Sequence, residues 1–404
     1  MTGLRELFED AVGTPPPSHV LAGEVYTAGR RRHRLRTTLA AAAALVAGVL
    51  MVGGGLLLPG RASQSLPPAG DPTTPPAATG APVQWAGAAD AAHLYLARMA
   101  CAKPSLSCLK TTVQLRGSGD GGRTWTDRGT PLDAFRLAVA GPETLLASVF
   151  AGGGDRTLTA STDGGRTWAP LREAPAVDAL PAGSVAACWA RSGEPCTLWA
   201  VDPAGRRLAP LRHQPGLLAS PDDLLPPGEG GRIWVRGNDV ATGRPAVAVS
   251  ADAGRSWSVR AFPDAPACSP GSCLPAYLAT GGSRAYAVAV GATARAVYRY
   301  AADGHWEPVT GAGAVPAGHL GAGGHAFVAA DGTHVLCETV PQPDGRDGCR
   351  FWAGRDGTYQ EADLAGLPAT VYQIRRAADG SFYTHSYTTD RLYVSADGWT
   401  WSAR

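Results

Sequence analysis

Four acidic residues stand in a repeated pattern, Ser-x-Asp-x-Gly-x-x-Trp, and are the most conspicuous candidates for chemistry in this 404-residue chain. A carboxylate could act there as a general acid or base, or it could accept backbone N–H groups in a turn. Alternating apolar residues precede the first and third copies, and Gly tolerates a positive φ. The pattern therefore predicts hairpin turns, each followed by a tryptophan that packs inward. The fourth copy is one residue short; the members are Ser118, Asp120, Gly122, Trp125, Ser161, Asp163, Gly165, Trp168, Ser250, Asp252, Gly254, Trp257, Ser395, Asp397 and Trp401.

Eight cysteines form four close pairs in the sequence. An even number with local pairing indicates disulfides that close short loops in an oxidising compartment. A zinc site is disfavoured because no Cys-x-x-Cys motif occurs, whereas a set of reduced, buried thiols stays open as an alternative. The disulfide candidates are Cys101 with Cys108, Cys188 with Cys196, Cys268 with Cys273, and Cys337 with Cys349.

Histidines supply no catalytic or metal-binding pattern. Four of them, His305, His319, His325 and His334, lie near one another without a regular ligand spacing, and each is predicted to be a solvated loop residue. No Gly-x-Ser-x-Gly elbow, His-Glu-x-x-His motif or phosphate-binding loop occurs. The sequence therefore assigns no catalytic residue, no metal and no cofactor.

The repeats predict the elements that hold these residues. Weaker turn signals at Asp202, Asp303 and Asp356 fill the gaps between the four copies, and successive signals are 39 to 53 residues apart. That period is typical of a four-stranded propeller blade, so seven signals predict an all-β, seven-bladed β-propeller over residues 83–404. Six blades is the alternative count. A non-closing solenoid is disfavoured because it would expose long strand edges.

The two ends of this region should complete the ring. The last turn signal lies close to the final segment TWSAR, which should form the outer strand of the last blade. The first blade must then be completed from residues 83–100.

The segment before the propeller predicts a single membrane span. Residues 37–58 carry no charge and are long enough to cross the hydrocarbon core, and an arginine-rich run at 30–36 precedes them. The positive-inside rule makes residues 1–36 a cytoplasmic stub and places everything after the span outside the plasma membrane. Residues 59–82 are rich in Pro, Ala and Thr and should form a linker. A cleaved signal peptide is the alternative.

Composition limits the partners. Charged residues make up 17% of the chain, and 52 Gly and 33 Pro suit short strands joined by tight turns. A formal net charge of +2 gives no bulk electrostatic reason to expect a nucleic-acid partner. The membrane itself, contacted through one helix, is the partner that the sequence predicts most directly.

The four copies resemble the Asp-boxes, or BNR repeats, of the sialidase and neuraminidase superfamily. Similar repeats occur in sortilin-type receptors, xyloglucan-cleaving glycosidases and photosystem assembly propellers, and the N-terminal stub is similar to those of actinobacterial membrane proteins. The resemblance covers roughly residues 85–404. It implies a propeller in which Asp120, Asp163 and Asp252 are structural residues at the blade periphery rather than catalytic acids.

The resemblance implies the propeller fold more strongly than it implies sialidase catalysis. The Arg-Ile-Pro or Arg-Leu-Pro element of sialidases is absent, and the nearest string, Arg232-Ile233-Trp234, follows two Asp-boxes. A sialidase mechanism could recruit Tyr372 with Arg375, or Tyr387 with Arg391, but the sequence assigns neither tyrosine the glutamate that would make it nucleophilic. We therefore predict a non-catalytic binding or scaffold module for a glycan, a peptide or an envelope protein. The alternative is an exo-α-sialidase-like glycoside hydrolase.

Overall fold

The computed structural model describes most of the region from Val83 to Arg404. The predicted stub, membrane span and linker, residues 1–82, lie outside the described residues. Within those described, no helix is long and apolar enough to cross a membrane. Shorter stretches after residue 82 also lie outside the description: 102–110, 151–155, 190–195, 220–223, 226–230, 264–275, 291–294, 310–325, 343–346, Asp356, Tyr372, Tyr387 and Asp390.

Seven β-sheets follow one another along the chain, and six of them contain four strands in sequence order. Blade 1 contains β1 (Val83–Ala88), β2 (Leu94–Cys101), β3 (Thr111–Ser118) and β4 (Thr126–Leu132). Blade 2 contains β5 (Ala134–Gly141), β6 (Thr144–Phe150), β7 (Arg156–Ser161) and β8 (Ala169–Pro170). Blade 3 is built from β9 (Arg172–Glu173), β10 (Val185–Trp189), β11 (Thr197–Asp202), β12 (Arg207–Pro210) and β14 (Leu224–Leu225).

The other four blades repeat the meander. Blade 4 contains β13 (Leu217–Ala219), β15 (Ile233–Asp239), β16 (Pro245–Ser250) and β17 (Ser258–Ala261). Blade 5 contains β18 (Tyr277–Gly281), β19 (Arg284–Val290), β20 (Arg295–Tyr300) and β21 (Trp306–Pro308). Blade 6 contains β22 (Ala326–Val328), β23 (His334–Pro341), β24 (Asp347–Gly354) and β25 (Tyr359–Ala362). Blade 7 contains β26 (Arg375–Arg376), β27 (Phe382–His385), β28 (Leu392–Ser395) and β29 (Ser402–Ala403).

Central strands are buried on both faces, because each sheet is packed between two others. All six residues of β16 are buried. Ala246 and Ala248 pack with blade 3, whereas Val247, which points to the opposite face, packs with blade 5. Small side chains such as those of Ala246 and Ala248 suit strands that are covered by a neighbouring sheet on each face.

Hydrophobic clusters join the blades into a closed ring. Seven clusters each combine residues of two neighbouring blades. The cluster that closes the circle brings Val83 and Leu94 of blade 1 against Tyr383 and Leu392 of blade 7. The protein is therefore a seven-bladed β-propeller, and the prediction of seven blades over six is confirmed.

The ring closes without any exchange of strands between its first and last blades. All four strands of blade 1 and all four of blade 7 come from their own segments, and β29 is the outer strand that the sequence predicted. Hydrogen bonds cross the closing interface from Ala378 N–H to the Ala89 carbonyl (3.1 Å) and from Ala91 N–H to Asp379 Oδ2 (2.8 Å). Side-chain packing and these turn contacts together close the ring.

Blade 3 departs from the predicted order of four consecutive strands. Its fifth strand, β9, lies parallel to the outer edge of β12, with Arg172 N–H bonded to the Arg206 carbonyl at 2.9 Å. The segment that precedes β10 therefore lies along the outer edge of blade 3 and does not form its innermost strand. The vacant position beside β10 is filled by β14, which comes from the connection between β13 and β15 of blade 4.

Candidate functional site

The propeller has two ends with different chemistry. We call one the turn end: it carries the turns from first to second strand and from third to fourth strand of each blade. We call the other the loop end: it carries the hairpins from second to third strand and the connections between blades. The Ser-x-Asp motifs lie at the turn end, and the described disulfides lie in hairpins of the loop end.

Each complete motif forms the same hydrogen-bonded turn. In blade 2, Ser161 Oγ donates to Asp163 Oδ1 (2.8 Å) and accepts Gly165 N–H (2.7 Å). Asp163 then accepts Thr167 N–H (2.9 Å) through Oδ1 and the Thr167 hydroxyl (2.6 Å) through Oδ2. The turns around Asp120 and Asp252 repeat these bonds, with Thr124 and Ser256 as the hydroxyl donors.

Those hydrogen bonds hold the motif carboxylates in their ionised form. Bonds from the backbone and hydroxyl of Thr124 lower the pKa of Asp120 to about 2, and the hydroxyl and backbone of Ser256 lower that of Asp252 to about 2. Burial acts to raise the pKa of Asp163, but the bonds from Thr167 and Ser161 outweigh it and the pKa is lowered to about 2. The bonds that stabilise charge on these carboxylates also occupy their oxygens, so they serve as acceptors within turns.

The motif tryptophans pack on the interface with the preceding blade. Trp401 is 5% exposed and belongs to the cluster between blades 6 and 7. Trp168 packs against the cluster of blades 1 and 2, and Trp257 against that of blades 3 and 4. Trp125 packs at the closing interface between blades 7 and 1. Each motif thus supplies a tryptophan that packs its blade against the preceding one, and this contact between blades cannot be read from the sequence of one repeat.

A second set of aspartate turns escaped the sequence analysis. In blade 6, Asp331 accepts the N–H (3.0 Å) and the hydroxyl (2.9 Å) of Thr333. In blade 7, Asp379 accepts the N–H (3.0 Å) and the hydroxyl (2.6 Å) of Ser381. The shared string Ala-Ala-Asp-Gly-Thr/Ser was the available signal, and it marks turns between first and second strands.

His334 corrects the prediction of a solvated loop histidine. It begins β23, is 0% exposed and stacks on the ring of Tyr286 with centroids 4.3 Å apart. Its Nδ1 lies 2.7 Å from the Tyr359 hydroxyl. Burial lowers the pKa of His334 to about 3, so the ring is neutral near pH 7. His305 is exposed, as predicted, whereas His319 and His325 lie outside the described residues.

Two of the four predicted disulfides are present. Cys188 and Cys196 bridge the hairpin from β10 to β11, and Cys337 and Cys349 bridge that from β23 to β24. For the remaining pairs, the side chain of Cys101 and the whole of Cys108, Cys268 and Cys273 lie outside the description.

At the loop end of blade 7, three hydroxyl groups form a cluster. Thr370 Oγ1 lies 2.6 Å from Thr388 Oγ1, and Ser386 Oγ lies 3.1 Å from the same atom. Ser386 Oγ also accepts Thr388 N–H at 3.2 Å, which fixes the hairpin that presents them. We call Thr370, Ser386 and Thr388 the hydroxyl cluster. The three range from buried Ser386 to exposed Thr388, so the cluster reaches from the core to the surface.

Gln373 and Arg375 follow Thr370 along the chain, where β26 begins. Arg375 is exposed and donates through Nη2 to Gln373 Oε1 at 2.9 Å, which orients both side chains. Tyr372 and Tyr387, the tyrosines that a sialidase mechanism would recruit, lie outside the described residues. Arg232 and Ile233 lead into β15 of blade 4, where Ile233 is buried in the core. Among the residues described, no group of three or more His, Cys, Asp or Glu could hold a metal ion.

Comparison with known proteins finds similarity of fold without a family. No protein-family profile and no curated protein matches the sequence. YCF48 bound to D1 peptide is 14% identical over 80% of each chain, with a TM-score of 0.31. A putative 6-phosphogluconolactonase from Bacteroides fragilis NCTC 9343 is 13% identical over 77% of this chain and 94% of that one, with a TM-score of 0.45. TolB from Acinetobacter baumannii is 12% identical over 76% and 78%, with a TM-score of 0.36.

Proposed function

We propose that the chain is a membrane-anchored, extracytoplasmic binding or scaffold module whose loop end holds a peptide segment of an envelope protein. The observation that carries the proposal is the hydroxyl cluster, which lies at the loop end of blade 7, and Gln373 and Arg375 follow Thr370 in the segment that enters the same blade. Loops at one end of a rigid scaffold are where binding residues concentrate.

The chemistry of this surface suits a peptide backbone. Hydroxyl groups both donate and accept, so the cluster can meet the N–H and the carbonyl groups of an extended chain, while Arg375 and Gln373 add further donors. A glycan offers related hydroxyl chemistry. An extended peptide presents carbonyl and N–H groups in alternation along its backbone, so we take a peptide as the ligand and a glycan as the alternative.

Two features support the location. The uncharged segment 37–58 follows an arginine-rich run, which favours an N-terminus in the cytoplasm and a propeller outside. The disulfides Cys188–Cys196 and Cys337–Cys349 fit an oxidising environment. The first signal comes from the span and the second from the propeller, so they support one location independently.

Site-specific photo-crosslinking in intact cells tests the proposed ligand. The full-length chain would carry benzoylphenylalanine at Thr388, with Arg123, an exposed residue of the turn end, as the matched control position. We expect a discrete adduct from position 388 and none from 123, with the captured mass removed by protease. A captured mass that resists protease and yields to a cell-wall hydrolase would identify a glycan and contradict the peptide. Equal adducts at both positions would contradict the loop-end site.

Protease added to intact cells tests the location separately. The extracytoplasmic placement predicts that the propeller is cleaved while a cytoplasmic marker protein survives. If the propeller is spared until the membrane is permeabilised, the proposed location is wrong, whatever the crosslinking shows.

A further inference from the structure

The outer strand of blade 4, β17, has an open edge within the described structure. In blade 3 the outer strand β12 is covered by β9, and in blade 7 Thr400 pairs in parallel with Ala365. In both cases the covering segment is the connection that leads into the blade. The connection into blade 4, residues 211–216, is short, and β17 pairs only with β16 among the described strands.

The hydrogen-bonding register shows which groups face the open edge. Phe262 N–H donates to the Pro245 carbonyl at 3.0 Å, so its backbone points toward β16. Inward and outward groups alternate along an antiparallel strand, and Arg260 and Ser258 therefore also face β16. The N–H and carbonyl groups of Val259 and Ala261 point outward. They form the row of groups that an additional strand would pair with.

Side chains along this edge have a consistent chemistry. Val259, on β17, is 39% exposed. Arg260 follows it on the strand and Arg255 lies in the turn that precedes the strand, and both are exposed. Arg244 and Arg255 donate to the carbonyls of Pro263 (2.8 Å) and Asp252 (3.1 Å). Within the part of the chain that the structure describes, none of the three arginines is recorded in an ion pair.

We propose that β17 binds an extended acidic segment of a partner protein as an added β-strand. Main-chain hydrogen bonds to Val259 and Ala261 would supply the pairing, an apolar side chain of the partner would cover Val259, and acidic side chains would meet Arg255 and Arg260. Blade 3 already contains such an addition, in which β9 lies along the outer edge of β12. This surface lies at the rim of the ring and does not depend on the hydroxyl cluster.

A model peptide tests the proposal on the full-length protein in detergent. The probe is fluorescein-labelled Glu-Val-Glu-Val-Glu-Val-Glu, and its lysine counterpart is the charge control; fluorescence anisotropy reports binding. Val259→Pro removes the outward N–H but no bond to β16, so we expect affinity to fall at least about tenfold. Val259→Thr keeps the N–H and should bind within about twofold of the parent.

A second variant guards against misfolding. Arg255→Glu combined with Arg260→Glu leaves the backbone intact and should weaken the acidic probe at least about tenfold while improving the lysine probe. Hydrogen exchange should show that the acidic probe protects the amides of Val259 and Ala261. Three results would each overturn the proposal: no binding of the acidic probe by the parent, equal binding by folded Val259→Pro, or protection confined to other blades.

Discussion

The two ends of the propeller are built on different principles. At the turn end, short side chains saturate the backbone of each turn, and the tryptophans and aspartates reach the neighbouring blade. At the loop end, disulfides brace hairpins within single blades, and the hydroxyl cluster is presented on the hairpin of blade 7. The repeated motifs of the turn end thus add contacts between blades to the strand packing that joins them, whereas the described loop-end bridges act within one blade.

The largest effect should follow removal of a tryptophan at the turn end. Trp401 fills the interface between blades 6 and 7 and donates to the Gly398 carbonyl at 3.0 Å. Trp401→Ala should lower the free energy of unfolding by about 3–5 kcal/mol, as for other buried aromatics. Thr388→Ala removes only hydroxyl hydrogen bonds at the loop end and should lower it by about 0.5–1 kcal/mol. Urea unfolding of both variants measures the contrast, and equal losses would contradict it.

The second-largest loss of stability should follow acidification, through protonation of His334 in the unfolded chain. Burial lowers its pKa to about 3, below the ordinary value of 6.5, so the unfolded chain binds a proton at a higher pH than the folded one. The contribution of neutral His334 is complete above pH 6.5 and is lost as the pH falls, by about 2 kcal/mol at pH 5. The motif aspartates titrate lower and should not contribute in this window. His334→Gln should remove most of the loss between pH 7 and pH 5, measured by urea unfolding at each pH; an unchanged loss would assign it elsewhere.

The closing interface should respond to one carboxylate. Asp379 holds its own turn and also accepts Ala91 N–H of blade 1 at 2.8 Å. Asp379→Ala should cost about 1–2 kcal/mol and raise amide exchange in blades 1 and 7. Ser381→Ala removes only the hydroxyl bond within the turn and is the matched control. Exchange that rises equally in all blades would show that Asp379 has no special part in closure.

The smallest of the four effects should come from a loop-end disulfide. Cys337 and Cys349 are 12 positions apart, and loop-closure entropy would give about 3 kcal/mol for an otherwise free loop of that size. They lie on β23 and β24, which already pair around them, so we expect about 1 kcal/mol from the double change to serine. Thermal unfolding in the absence of reductant measures it. A loss as large as that of Trp401→Ala would mean that the loop end also holds the ring together.

Much of the turn end could be predicted from the sequence because its chemistry is local. Asp, Gly and a hydroxyl residue within seven positions specify a turn, and their spacing specifies the blades. The position of His334 could not be predicted, since its burial depends on blade 5 packing against blade 6. β14 could not be predicted either, because two residues carry no periodic signal. The hydroxyl cluster joins residues on two separate segments, so its members gain meaning only after folding.

Strand β14 has a consequence for how this ring can be divided. Five sheets draw every strand from one stretch of chain that no strand of another blade interrupts, so each of these blades could be duplicated or excised as a unit. Blade 3 borrows β14 from inside blade 4, so removing blade 4 would leave its neighbour incomplete. Those two blades should therefore be gained, lost and unfolded as a pair, and the smallest module at that point of the ring is twice the size of the module elsewhere.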